Sequence, residues 1–331
     1  MAAGYDFAIF GATPLAALLA GLLAHDHGKQ VIRIAEPVSP QRLPRGIDIA
    51  LPLATRPETW RLMRAAEAET LTILASLGAR DVIVRTDLRI IADLPGTAAA
   101  LAHASHMAAG YGLAAHDGLF SRVSRLVGEI TLADSKVQSV ASAELDLEGG
   151  EAARLVIDGE IAEAGQIILA DDASILAFLP EKQRPGLLLP QSMTATLTAP
   201  ARRLATPIMR FPDRGVTLAQ RADNAMLALV CGDTDVEARL ASALPGPFPL
   251  PRRASSRFRR LISTDGAPVI GWLKPSNLMI IAGLGNAGAF LAPPLARLLG
   301  GKAGEDERGY FAAHAPEVRR EPVADFVEAQ Q

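Results

Sequence analysis

Residues 264–271 read TDGAPVIG, and after a short gap residues 278–290 read LMIIAGLGNAGAF. The apolar run at 278–282 is typical of a buried strand. The glycines that follow it predict a tight turn into a helix, where backbone N–H groups approach a planar or anionic ligand closely. This stretch therefore predicts a strand–turn–helix unit that belongs to a nucleotide-type binding site.

A matching unit stands at the N-terminus. Residues 5–10 form a short apolar run that ends at Gly11, and Pro14 suits the first turn of a helix, where no N–H partner is required. Leucines then recur at helical spacing, and a second apolar run at 30–35 ends at Glu36. This order predicts a β-turn-α-β unit at the start of a doubly wound sheet.

The N-terminal turn matches a dinucleotide-binding fingerprint in part. Gly11 supplies the first glycine, Thr13 stands where the second is expected, and Ala16 replaces the third, which only has to let helix and strand pack. Glu36 is placed to accept hydrogen bonds from ribose hydroxyls. The residues of this half leave two interpretations open: a cofactor site, or an ordinary strand-to-helix turn followed by a solvated acid.

Size and composition restrict the classes of function. The chain has 331 residues, 49% of them hydrophobic, which is ample for two domains. Its net charge of −3 gives no electrostatic reason to expect nucleic acid or an anionic membrane as partner. No apolar run approaches the roughly 20 residues of a membrane span. The single cysteine, Cys231, excludes an internal disulfide and is expected to pack in the core, so a cytoplasmic location is expected.

The histidines predict no metal site. His103 and His106 are spaced i, i+3, but no nearby carboxylate completes a set of ligands. His314 is expected to be exposed or capping, in a charged C-terminal tail.

Periodicity predicts the elements between the two glycine-rich turns. Helices are expected at 58–77, 98–109, 119–126 and 235–244. Strands are expected as a pair over 81–93, as an apolar strand at 161–170 that enters the central sheet, and as an antiparallel set at 193–198, 208–211, 216–220 and 226–230.

The closing block resembles the flavin-dependent D-amino acid oxidase family, with its glycine, sarcosine and other amine-oxidising relatives. That family has an Asp-Gly-x-Pro-x-Ile-Gly strand turn, a second strand and a Gly-x-Gly-x-x-Gly helix start. This chain has the first motif from Asp265 to Gly271 and the second from Gly283 to Gly288. The match is strong over 264–299, moderate over 6–36 and faint between them.

The resemblance implies FAD as cofactor. In the family the C-terminal turn lies beside the flavin ring, so backbone N–H groups of Gly285, Asn286, Ala287 and Gly288 would face the ring, at the positive end of a helix. The other residues that the resemblance assigns to the cofactor are Gly11, Thr13, Pro14, Leu15, Ala16, Glu36, Arg45, Gly46, Ala170 and Gly283. For Arg45 and Gly46 the match is positional only, and a plain loop remains an alternative.

Asp171 and Asp172 depart from the family pattern, which has small residues at these positions. Two carboxylates beside a pyrophosphate would repel it. The interpretation that we favour is a helix N-cap followed by an acid in the first helical turn.

Arg260 stands where several family members have the arginine that binds the substrate carboxylate, a role that suits its bidentate fork. Arg257 and Arg259 are further candidates. A basic strand edge accounts for any one of the three equally well.

These observations predict an α/β chain with a doubly wound, Rossmann-like FAD-binding domain and a second, antiparallel-sheet substrate domain. The expected boundaries are 1–79, 111–190 and 256–302 for the first domain, 80–110 and 191–255 for the second, and 303–331 for a charged tail. The resemblance implies oxidation of the C–N bond of an amine or amino acid, with hydride transfer to FAD N5. The alternative is a non-catalytic or electron-transferring subunit of a larger complex, with a weakened or lost FAD site; a homo-oligomer or a partner redox subunit is possible in either case.

Overall fold

A computed structural model describes residues 3–36, 42–51, 56–128, 130, 136–146, 153–244, 251–274 and 276–318. Its helices are α1 (Pro14–His27), α2 (Pro57–Ser76), α3 (Pro95–Gly110), α4 (Asp172–Phe178), α5 (Val236–Ala243), α6 (Ala292–Leu299) and α7 (Glu305–Ala313). Its strands are β1 (Ala3–Phe10), β2 (Val31–Ile34), β3 (Ile83–Ile90), β4 (Ala115–His116), β5 (Leu119–Leu126), β6 (Val137–Val140), β7 (Glu144–Asp146), β8 (Ala153–Ile157), β9 (Glu160–Leu169), β10 (Leu188–Thr198), β11 (Ile208–Phe211), β12 (Val216–Gln220), β13 (Met226–Cys231), β14 (Arg252–Ser263), β15 (Val269–Leu273) and β16 (Leu278–Ala282).

The first sheet has the order β15-β16-β9-β1-β2-β6, with the β7–β8 hairpin attached to β9. β1 is parallel to both β2 and β9, and β16 is parallel to β9. The chain therefore crosses from one side of β1 to the other, as a doubly wound sheet requires. The predicted entry of the apolar segment at 161–170 into the centre of the sheet is confirmed.

Both faces of this sheet are covered, which explains why its central strands are continuously apolar. Phe7 and Ile9 of β1 belong to a core shared with α1 and α6. Ala8 and Phe10 point to the opposite face and pack in a core that includes residues of α4 and β8. Alternate side chains of one strand thus enter two different cores.

Helix α1 begins where the sequence predicts, at Pro14. Thr13 is its N-cap, Pro14 its first residue, and Gly28 its C-cap with a φ of 67°. That left-handed conformation is one that glycine adopts without strain.

The second sheet has the order β14-β10-β13-β12-β11-β3-β5-β4. The predicted antiparallel set is confirmed: β10 pairs with β13, β13 with β12 and β12 with β11, all antiparallel. The predicted strand pair over 81–93 is wrong, because this segment is one strand, β3, preceded by a 3-10 turn at Arg80–Val82. Its partners β5 and β11 come from distant parts of the chain.

The helix predicted at 119–126 is also wrong, because this segment is strand β5. Arg122 has a φ of 56°, its N–H donates to Asp87 Oδ1 at 2.8 Å, and the pairing register of β3 and β5 shifts beside it. This bulge changes the alternation, so Phe120 and Val123 are both buried. The resulting spacing of apolar residues imitates that of a helix.

The described part of the C-terminal segment packs on the body of the protein. Tyr310 and Phe311 of α7 are buried in the core of the first sheet. His314, expected to be exposed, is also buried: its Nδ1 lies 2.7 Å from the Tyr310 carbonyl, and its own carbonyl accepts a hydrogen bond from Ile270 N–H. The tail residues 319–331 lie outside the described residues.

Sheet membership does not follow the predicted domain boundaries everywhere. Strands β4, β5 and β14 belong to the second sheet. The predicted boundaries place β4, β5 and most of β14 in the first domain, within 111–190 and 256–302. Among the described residues, none of the helices is both long and apolar enough to cross a bilayer. The same residues contain no group of three or more potential metal ligands.

Candidate functional site

The carboxyl ends of β1, β2, β9 and β16 lie at one edge of the first sheet, because these strands are parallel. This edge brings together Gly11, Glu36, Ala170 and Gly283, which are distant in sequence. Ala170 is buried and its N–H donates to the Phe10 carbonyl at 2.8 Å. Glu36 is exposed at the end of β2. Ligands of doubly wound sheets bind at such an edge.

The N-terminal turn joins β1 to α1 at this edge. Thr13 Oγ1 accepts a hydrogen bond from Ala16 N–H at 3.4 Å, and Pro14 has no N–H to offer. Leu15 and Ala16 are buried in the core. A Cβ at Gly11 would lie 3.0 Å from the Ala16 Cβ, so the close packing of strand and helix requires glycine there.

Asp171 bridges this turn to α4. Its Oδ2 accepts a hydrogen bond from Ala12 N–H at 2.8 Å, and its Oδ1 accepts one from Ser174 N–H at 2.8 Å. Ser174 Oγ returns to the backbone of Asp171, which completes a capping box. The favoured N-cap interpretation of Asp171 is confirmed, and the carboxylate has a second contact that the sequence did not predict.

Asp172 follows in the first turn of α4. Burial raises its pKa to about 6, and Asp171 acts in the same direction. A hydrogen bond from the backbone of Leu261 and the charge of Arg260 oppose this rise. Asp172 therefore links the start of α4 electrostatically to the strand that carries Arg260.

The C-terminal turn approaches the same edge. Gly283 and Gly285 have φ values of 68° and 53°, which favour glycine. The segment Gly285–Leu291 is a 3-10 turn that leads into α6, and within it Ala287 N–H donates to the Leu284 carbonyl at 3.2 Å. The N–H of Ala287 is thus used inside the turn.

Two further features fix the position of this turn. Gly288 is buried, and a Cβ there would lie 3.1 Å from the Leu284 side chain. The Asn286 carbonyl accepts a hydrogen bond from Ile49 N–H at 2.7 Å. That bond ties the turn to the segment 42–51, whose Ile49 also pairs with Arg125 of β5.

The segment 42–51 carries Arg45 and Gly46, which are both exposed. The Arg45 guanidinium lies 5.7 Å from the centre of the Phe258 ring, within the range of a cation–π contact. It also interacts electrostatically with Asp171 and Glu36. A Cβ at Gly46 would meet no atom within 4 Å, so packing does not require glycine there.

A pocket that is partly open to solvent, with a cavity volume of about 40 Å³, lies where the second sheet faces the C-terminal turn. Strands β10 to β14 supply most of its wall, and Asn286 and Arg45 supply the remainder. Its lining includes three arginines, Arg45, Arg210 and Arg260, and no Asp or Glu among the described residues. The pocket is therefore suited to a small anionic ligand.

Arg210 and Arg260 are held differently. Arg210 is 6% exposed, and burial, assisted by the charge of Arg260, lowers its pKa to about 10, so it remains protonated at neutral pH. Arg260 Nε donates to Gln191 Oε1 at 2.7 Å, and its Nη2 lies 3.9 Å from Cys231 Sγ. The amide of Gln191 thus fixes the orientation of the Arg260 side chain.

The structure separates the three arginine candidates on β14. Arg260 is half-buried and lines the pocket, whereas Arg257 and Arg259 are exposed. Arg210 and Gln191 are not among the residues predicted from sequence. Cys231, expected to pack in the core, is half-buried and lines the pocket. A signal for Arg210 was present, because it is a charge within the apolar strand IMRF at 208–211.

The residues fit FAD at one end of the site and not at the other. At the ring end, Gly283 and Gly285 permit close approach of the backbone, and the adjoining Asn286 lines the pocket. At the phosphate end, the Asp171 carboxylate already accepts the hydrogen bond of Ala12 N–H, and Pro14 has no backbone N–H to donate. An anion bound at a helix N-terminus needs such donors. The turn does not fit a pyrophosphate while Asp171 keeps this position.

The two sheets and the pocket between them define a two-domain fold that is shared with amino-acid-oxidising enzymes. Glycine oxidase from Geobacillus kaustophilus superposes with a TM-score of 0.68 and 15% identity, covering 93% of this chain and 98% of that one. L-proline dehydrogenase from P. horikoshii gives 0.70 and 14%, covering 96% and 98%. Iminodiacetate oxidase from Chelativorans sp. BNC1 gives 0.67 and 18%, covering 94% and 100%.

Sequence comparison alone does not detect this likeness: no protein-family profile and no curated protein matches the chain. At such low identity the structural comparisons establish the fold, and the predicted combination of a doubly wound domain with an antiparallel-sheet domain is confirmed.

Proposed function

We propose that this chain is a flavin-dependent oxidoreductase that oxidises the C–N bond of a small amine or amino acid bearing a carboxylate. The observation that carries the proposal is the position of Arg210 and Arg260, which line a pocket directly beside the glycine-rich C-terminal turn. The fold that the chain shares with amino-acid-oxidising enzymes supports the same reaction class.

The chain's own residues would bind and orient the substrate. Arg260, held by Gln191, offers a planar fork that matches a carboxylate. Arg210 adds a second, buried positive charge, and electrostatic attraction is stronger where water is excluded. Fixing the carboxylate in this way would point the rest of a small substrate toward the C-terminal turn, and positioning alone contributes strongly to such reactions.

FAD, when bound, would supply the electron acceptor. Gly283, Gly285 and Asn286 would lie at its ring, and Glu36 would lie near its ribose. Arg45 would stand between these two parts, because it lines the pocket and also interacts with Glu36.

A second candidate function is supported by Asp171. Its hydrogen bond to Ala12 N–H favours a subunit with a weakened or lost FAD site, retained for assembly or electron transfer in a larger complex. In that case a copurifying partner or a homo-oligomer is expected, and purified protein mixed with FAD would show no substrate-dependent change in absorbance.

The proposed reaction is tested by anaerobic bleaching of the FAD-loaded protein. We expect glycine, L-proline or iminodiacetate to reduce the flavin absorbance, and benzylamine, which has no carboxylate, to do so far more slowly. Arg260→Met should raise the substrate concentration for half-maximal bleaching about tenfold or more, because a charge-assisted hydrogen bond is lost. Arg259→Met, an exposed neighbour on the same strand, is the matched control and should have little effect. Equal bleaching by benzylamine would contradict the proposal.

A further inference from the structure

We propose that Asp171 takes the place of a cofactor phosphate on the N-terminal turn and thereby sets the affinity of the chain for FAD. The inference rests on the proposed function, since it concerns the same cofactor. It assigns to one side chain a control over cofactor binding that the turn sequence alone does not predict.

The start of α1 has lost hydrogen-bond donors for a phosphate. Backbone N–H groups at the start of a helix attract anions, and at this turn two of these groups are occupied and a third is missing. Ala12 N–H donates to Asp171 Oδ2 at 2.8 Å, Ala16 N–H donates to Thr13 Oγ1 at 3.4 Å, and Pro14 has none. A phosphate must therefore displace the Asp171 carboxylate before it gains the Ala12 donor.

Charge at this turn also opposes a phosphate. The Asp171 carboxylate repels an approaching pyrophosphate, and the attraction of Arg45 to Asp171 keeps that cation on the same side of the turn. The carboxylate is also held from behind, because Ser174 N–H donates to Oδ1 at 2.8 Å. The Asp171 side chain is thus anchored to α4 while it covers the turn.

The space beside the N-terminal turn is filled as well. A Cβ built on Gly11 would lie 3.2 Å from Asp171 Oδ2, so the carboxylate lies directly against the glycine of the tight turn. A side chain of the chain itself thus occupies the position next to this turn.

The test is the affinity of the Asp171→Ser variant for FAD, followed by flavin fluorescence. Serine retains the N-cap of α4 and removes both the charge and the reach to Ala12 N–H. We expect FAD to bind about tenfold more tightly or better than to the wild type. Riboflavin, which has no phosphate, should bind equally to both proteins. Asp213→Ser is the matched control, because Asp213 also accepts backbone hydrogen bonds, at the start of α3 and away from this turn, and its FAD affinity should equal that of the wild type.

The outcomes separate this inference from the proposed function. The role of Asp171 would be overturned if Asp171→Ser bound FAD within threefold of the wild-type affinity, or if riboflavin showed an equal gain. Binding of FAD by the wild type would still support the proposed function in that case. Absence of FAD binding by both proteins would overturn both. Should Asp171→Ser not fold, Asp171→Asn removes the charge at the same volume, and a gain in FAD affinity above threefold is expected from it.

Discussion

At the scale of single residues, ionisation of the Asp172 carboxyl group opposes folding at neutral pH. Burial raises its pKa from 3.8 to about 6. Between these two pH values the folded protein binds more protons than the unfolded chain, so the contribution of this group to the free energy of unfolding falls as the pH rises. Its contribution is fully present below about pH 4 and is lost as the pH passes 6.

Asp172→Asn should therefore stabilise the protein at pH 7.5 and have little effect at pH 4. The expected difference between the two pH values is roughly 2–3 kcal/mol, since the pKa rises by about two units and one pKa unit corresponds to about 1.4 kcal/mol. Urea unfolding at both pH values measures it, with Asp233→Asn, at an exposed position, as the control. A gain in stability that is the same at pH 4 and pH 7.5 would show that ionisation of Asp172 does not lower the free energy of unfolding.

The residue scale also shows what the sequence leaves undetermined. Arg257, Arg259 and Arg260 are equivalent candidates in sequence. Only the placement of β14 in the second sheet decides that Arg260 lines the pocket. Arg210 lines the same pocket from β11, and Gln191 on β10 holds Arg260, so this arrangement depends on the pairing of the second sheet. The contact of Asp171 with Ala12 joins residues that are far apart in sequence.

At the scale of elements, the β4–β5 hairpin turns at Asp117 and Gly118, whose φ values are 47° and 74°. Two consecutive positive φ values identify the tight turn that matches the twist of a hairpin. A Cβ at Gly118 would also lie 2.4 Å from the Ile90 carbonyl oxygen. Both the backbone conformation and the packing therefore require glycine.

Gly118→Ala should lower the free energy of unfolding by roughly 2–3 kcal/mol, the sum of backbone strain and the displacement of β3. Gly112→Ala is the matched control, since Gly112 has a φ of 75° but no atom within 4 Å of the added Cβ. It should cost about 1 kcal/mol. Thermal or urea unfolding of the two variants gives the comparison, and equal losses would mean that the contact with Ile90 is relieved without cost.

Elements whose apolar residues recur with a regular period were predictable from sequence, whereas strand β5, which contains a bulge, was not. The apolar runs of β1 and β16 and the helical spacing of α1 were predicted because local sequence determines them. β5 was mistaken for a helix because its bulge depends on Asp87 of the neighbouring strand, which accepts the Arg122 N–H. A tertiary contact thus changed the period that the sequence displays.

At the scale of the whole molecule, the two glycine-rich turns predicted the doubly wound sheet although they lie at opposite ends of the chain. β1 and β16 are both hydrogen-bonded to β9, so the two turns meet at one edge of the sheet. The exposed position expected for His314 is wrong, because the charged composition of 303–331 does not show that α7 packs on the body of the protein. Tyr310 and Phe311 lie in the core of the first sheet, which makes α7 part of the fold.

The molecule as a whole presents a site with two unlike ends, a ring end that is open to an arginine-lined pocket and a phosphate end that Asp171 covers. Stoichiometric titration of FAD with the wild-type protein, followed by the flavin absorbance spectrum, tests this most directly. We predict a saturable change that ends at one FAD per chain. A spectrum that remains that of free FAD at every protein concentration would contradict the proposed flavin site.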